Sequence, residues 1–192
     1  TNYLGTTDTV PLRFRTNGAS SGIINYNLQN VALGYQAALS NTTGNANTAI
    51  GHQALYSNTT GTGNVSVGAA SLGVNTTGEN NVSIGKSAML FSSTGNNNTA
   101  IGQGALPANT TGSNNVALGY NTLQTNTTGS YNTAVGASIN PVSAVVTKGI
   151  GLGYGASYNS NQLAIAGIRT ISIPNATNSI RYVLTDTSGT GD

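Results

Sequence analysis

The chain contains no cysteine and no tryptophan, and only 5% of its 192 residues are charged. Without cysteine, neither disulfides nor thiolate metal sites can form. Carboxylates are scarcer still, with Asp8, Glu79, Asp186 and Asp192 the only four. Glycan cleavage needs two carboxyl groups flanking one bond, and between residues 31 and 149 Glu79 stands alone. His52 is the sole histidine, which gives no triad and too few ligands for a metal. The expectation is a protein that is not an enzyme and uses no cofactor and no metal. The six bases, Arg13, Arg15, Lys86, Lys148, Arg169 and Arg181, are scattered, so no stripe exists for nucleic acid to follow. No apolar run approaches the roughly 20 residues of a membrane span, and the first residues lack a basic-then-apolar leader pattern. No membrane insertion is expected, and the chain reads as mature or as exported by another route.

What is abundant is glycine, 26 residues of it, and it is periodic. Gly34, Gly51, Gly68, Gly85, Gly102, Gly119, Gly136 and Gly153 recur every 17 residues, the mark of a unit copied and stacked into a solenoid. Numbering each copy from Val31, Thr48, Val65, Val82, Thr99, Val116, Thr133 and Ile150, position 1 is always β-branched, and position 3 is always Leu, Ile or Val. Residues two apart share a face of a strand, so positions 1 and 3 are expected to point inward. Position 2 (Ala32, Ala49, Ser66, Ser83, Ala100, Ala117, Ala134, Gly151) never exceeds serine in size. That restriction is read as an outward face approached closely by a second subunit.

The frame glycine at position 4 turns the chain. A second short strand is expected around position 8, which holds Leu55, Leu72, Met89, Leu106 and Leu123, with Ala38 in the first copy. The turn Asn-Thr-Thr-Gly follows in five copies, and residues 92–95 replace it in the fourth. Asn30, Asn47, Asn64, Asn81, Asn98, Asn115 and Asn132 close the units and can form a hydrogen-bonded ladder. The turns also match the N-glycosylation sequon, although turn chemistry explains them without glycans.

The expected fold is therefore all-β: a parallel β-solenoid, or β-roll, of about eight coils over residues 31–162, on the order of 40 Å long at about 4.8 Å per coil. Residues 1–30 are expected to form an N-terminal segment with one short strand around Leu12 and Phe14, and residues 163–192 a separate β element with a flexible tail. Function is sought where the copies differ. Tyr35, His52, Lys86 and Tyr120 occupy position 5, Tyr56 lies at position 9, and Tyr131 stands just before a new coil. These six are the candidate surface-binding residues, suited to a glycan or protein receptor.

The copies "NVALGYQAAL", "NTAIGHQAL" and "NNVSIGKSAM" resemble the head repeats of trimeric autotransporter adhesins. The 17-residue "NTTG" array between "NYLGTTDTVPLRFRTN" and "LAIAGIRTISI" resembles phage tail-fibre proteins, in which an intramolecular chaperone commonly lies further downstream. The resemblance implies a left-handed β-roll assembled as a homotrimer, located extracellularly on a cell surface or virion, and acting as a rigid spacer and attachment element. A structural filament subunit and an ice-binding solenoid are the alternatives.

Overall fold

The structure, a computed structural model, describes residues 8–166. It is an all-β rod of parallel stacked coils with no helix among the described residues. The chain enters through β1 (Leu12–Thr16) and β2 (Ala19–Asn25), an antiparallel hairpin. Then β3 (Asn30–Leu33), β4 (Thr48–Ile50), β5 (Val65–Val67), β6 (Val82–Ile84), β7 (Thr99–Ile101), β8 (Val116–Leu118) and β9 (Thr133–Val135) follow at coil spacing. β10 (Asn140–Pro141), β11 (Ile150–Leu152), β12 (Ser157–Tyr158) and β13 (Leu163–Ile165) complete it. Eleven strands form one sheet in the order β1 to β9, β11, β13, antiparallel at its first two junctions and parallel thereafter. Register is strict from coil to coil: Val65 pairs with Val82, Ser66 with Ser83 and Val67 with Ile84.

Four expectations are corrected. The sheet faces the other way from the expected one: Ala32, Ala49, Ser66, Ser83, Ala100, Ala117 and Ala134 are all fully buried inside the coil of one chain. Positions 1 and 3 point outward, with Leu33, Ile50, Ile84, Ile101 and Val135 exposed. The small residues are small because the coil is narrow, and the space opposite them is taken by Leu55, Leu72, Met89, Leu106 and Leu123, all fully buried. Position 8 is not a strand. These side chains hang from backbone in the left-handed region (Leu72 φ 48°, Met89 φ 44°), so the wall opposite the sheet is a run of turns.

At the start, Asn17 (φ 49°) and Gly18 (φ 76°) make the tight two-residue hairpin turn that this dipeptide favours, giving two strands where one was expected. At the end, β13 pairs with β11 through Ile150 with Leu163 and Leu152 with Ile165. Residues 163–165 therefore continue the solenoid sheet. The strands expected around Ile171 and Ile180 lie outside the described residues.

Amides carry much of the interior. The expected ladder forms at position 17: the Asn64 backbone N–H donates to Asn47 Oδ1 at 2.9 Å, Asn81 to Asn64 at 3.0 Å, and Asn98 to Asn81 at 2.9 Å. Each Nδ2 also donates to a turn carbonyl, as Asn81 does to Gly95 O at 2.8 Å. A second ladder runs through the turns, where Asn58 Nδ2 donates to Asn41 Oδ1 and Asn75 Nδ2 to Asn58 Oδ1, both at 2.8 Å. The frame glycine is required by space and by φ. Gly85 has φ +133°, and a Cβ there would lie 2.5 Å from Gly102 O. In the last described coils the Tyr158 ring fills the interior, lying where Cβ atoms at Gly149 and Gly151 would stand.

Candidate functional site

The most distinctive surface is the outer face of the eleven-stranded sheet. Because a strand alternates its side chains, packing position 2 inside forces positions 1 and 3 outside, producing two parallel lines of Val, Thr, Ile and Leu. The lines extend past the repeats through Leu163 and Ile165 at one end and Ile24 at the other, all exposed. No charged side chain occupies positions 1 or 3 in any coil. Ile50 and Ile84 keep 41% and 37% of their surface, which is partial exposure, the rest being shared with the rungs above and below. Across eleven strands the stripe is roughly 50 Å long, uncharged and largely aliphatic, with Thr48, Thr99 and Thr133 among its position-1 residues.

Of the six predicted residues, the structure brings two together. Tyr35 and His52, on successive coils, stack with ring centroids 5.5 Å apart and planes inclined by 18°. Lys86 and Tyr120 share their position two and four coils beyond His52, so the four stand in one file that follows the stripe by two residues in each coil; all are exposed. Tyr56 is half-buried on the opposite, turn-built flank, and exposed Tyr131 precedes the stripe by two residues in its coil. No common pocket unites the six. Val74 and Phe91, at position 10, are likewise exposed on the turn flank and are not among the six residues the sequence singles out.

The interior hydroxyls of Ser66, Ser71 and Ser83 are engaged in hydrogen bonds within the core. The Ser71 hydroxyl donates to Ser83 Oγ at 2.7 Å, and Ser83 Oγ donates to Ala88 O at 2.9 Å, which is core satisfaction. Tyr158 has a buried hydroxyl without a partner, and burial pushes its phenol well above the ordinary tyrosine range. Among the described residues no three His, Cys, Asp or Glu side chains gather as a metal site, and no helix is long and apolar enough to cross a membrane. Four of the five turn-sequon asparagines, Asn58, Asn75, Asn109 and Asn126, are fully buried in their ladder, and Asn41 of the first coil is half-buried. Compared with protein-family models, curated proteins and solved structures, the chain matches none.

Proposed function

We propose that this chain is a non-enzymatic fibre module, a stiff spacer and attachment element on the exterior of a virion or cell, assembled as a homotrimer through the outward aliphatic stripe. The observation that carries this reading is the stripe itself. It is uncharged, runs the length of the described rod and repeats with the coil. A second copy of the chain has the same period, so every rung can meet a like rung without loss of register, as an isologous or cyclic contact requires. The number three comes from the resemblance to trimeric β-roll adhesins and tail fibres. Burying the stripe leaves the Tyr35, His52, Lys86 and Tyr120 file at its border, and three copies multiply each weak contact through effective concentration.

Light scattering with far-ultraviolet circular dichroism on the purified chain tests this. The expected result is a β-rich particle of three chains that falls to monomers when Ile84→Lys and Ile101→Lys are introduced together, with the β signal retained; a β-rich monomer in the unsubstituted chain refutes the assembly.

The ice-binding alternative draws on exposed Thr43, Thr60, Thr77, Thr94, Thr111 and Thr128, one file at coil spacing. Its neighbouring file is already committed, because Thr42 and Thr59 donate their hydroxyls to the carbonyls of Thr59 and Thr76. Thermal hysteresis in solution would favour it over the fibre reading.

A further inference from the structure

The first coil is incomplete on one side only. On the sheet side it is covered, because β2 pairs with β3 and β1 pairs with β2. On the turn side nothing described lies above it. Within the rod, Leu55 N–H donates to Ser71 O, Ser57 N–H to Gly73 O and Thr59 N–H to Thr76 O. Coil after coil, this flank is stitched through alternate amides. The corresponding acceptors of the first coil, the carbonyls of Ala37, Leu39 and Thr42, receive no donor among the described residues.

Above them opens a cleft of about 320 Å³ between this ledge and the hairpin. The hairpin wall of the cleft is basic. Arg13 pairs with Ile23, and Ile23 pairs with Ala32, so Arg13 lies on the face of the sheet that turns toward the solenoid interior, where every rung from β3 onward carries Ala, Ser or Gly. Arg15 also lines the cleft and donates to Gly18 O at 3.1 Å. Neither arginine meets a carboxylate among the described residues. Three unused carbonyls on one wall and two guanidinium groups on the facing wall specify complementary chemistry in an occupant. Its backbone must be extended, presenting N–H groups along one edge, and its alternate side chains must be acidic.

We propose that this cleft is the docking site for an extended acidic segment of a second protein, which adds one rung to the turn flank of the first coil and joins the rod end-on to that protein. The backbone N–H groups of the segment pair with Ala37, Leu39 and Thr42, and its carboxylates face Arg13 and Arg15. An end contact of this kind leaves the aliphatic stripe free, so it does not depend on the oligomeric state proposed above. Edge strands are also guarded by inward-pointing charges, and arginines serving only that purpose would bind nothing.

The test is titration of the full chain with a fluorescent peptide of alternating Asp and Val, beside a Lys and Val counterpart and an Asp and Val peptide N-methylated at alternate residues. Expected are saturable binding of the acidic peptide only, loss on N-methylation, and weakening of about tenfold or more in Arg13→Gln/Arg15→Gln, with circular dichroism unchanged. No saturable binding, equal binding of the lysine peptide, or binding indifferent to the arginine substitutions overturns the proposal. Should the double variant misfold, the N-methylated peptide decides, because retained affinity there removes the backbone pairing on which the inference stands.

Discussion

Ser92 interrupts the turn ladder, and replacing it with asparagine should stabilise the rod. In the neighbouring rungs the ladder asparagine serves two carbonyls: Asn75 Nδ2 donates to Asn58 Oδ1 at 2.8 Å and to Gly78 O at 3.1 Å. At Ser92 this fails on both sides. Asn75 Oδ1 and Ser92 Oγ are buried with no partner, and Asn109 Nδ2 donates only within its own turn, to Gly112 O at 2.8 Å. In Ser92→Asn the introduced amide would donate to Asn75 Oδ1 and Gly95 O and accept from Asn109 Nδ2. That is two rung-to-rung bonds and one turn bond, each worth about 1 kcal/mol net, with a buried orphan acceptor also relieved. Fixing the longer side chain offsets part of this, so the expected gain is about 1 to 3 kcal/mol. For a chain of this size that corresponds to a rise of roughly 3 to 10 °C in the unfolding midpoint. Thermal melts and urea titrations of the two proteins measure it, with Asn58→Ser as the reciprocal change expected to lower the midpoint by a similar amount. If Ser92→Asn melts at or below the parent while Asn58→Ser is neutral, the ladder does not contribute stability, and the hydrogen-bonded account of the interior is wrong.

Two further substitutions examine other parts of the frame. Gly85→Ala places a methyl group 2.5 Å from Gly102 O at φ +133° and should cost more than about 3 kcal/mol, read as a lower urea midpoint or loss of the β signal; an unaffected melt would mean that the coil spacing is elastic. Tyr158 is held neutral by burial, so its contribution is complete below the unfolded-state pKa of 10.0 and declines as pH rises through and above it. Tyr158→Phe, which removes a hydroxyl that has no partner, should match or exceed the parent at neutral pH and lose less stability in alkaline melts, whereas parallel alkaline curves for the two proteins would refute this.

The repeat, its register, the parallel stack and the asparagine ladder were all legible in the sequence, because each is a statement about which residues recur. Which face of the strand is inside was not. Period-2 alternation says that Val82 and Ile84 share a face and that Ser83 opposes them, but it assigns neither face to the core. Reading the larger apolar residues as the inner set places Val82 and Ile84 inside and Ser83 outside. In a coil of 17 residues, however, the interior is filled from the opposite wall by Met89 and its equivalents, leaving room for no more than Ser83 beneath the sheet. The position-8 leucines looked like strand residues for the same reason, since burial was visible in their recurrence while their left-handed backbone was not. Among the candidate binding residues, the common position of Tyr35, His52, Lys86 and Tyr120 followed from the register, but their place beside an exposed apolar stripe became visible only when the sheet was turned over.

That inversion changes what holds the rod together. An ordinary domain gathers its β-branched residues inside and leaves amides to water, whereas here Asn64, Asn81 and Asn98 are fully buried and Ile50, Ile84 and Ile101 are exposed. The interior therefore contributes direction more than bulk: each amide has one correct partner a single coil away, which fixes register and makes the stack intolerant of slippage. The apolar surface that would drive folding in a globule is left on the outside, where only association can remove it from water. A chain built in this way is specified as a rod by its hydrogen bonds and left with part of its apolar surface, about two-fifths of each stripe isoleucine, still in water. Disrupting the ladder should accordingly lower stability without changing the mass of the surviving particle, and, on the proposed assembly, charging the stripe should change the mass while the coil signal persists. The two effects are separable because they arise on opposite faces of the same three-residue strands.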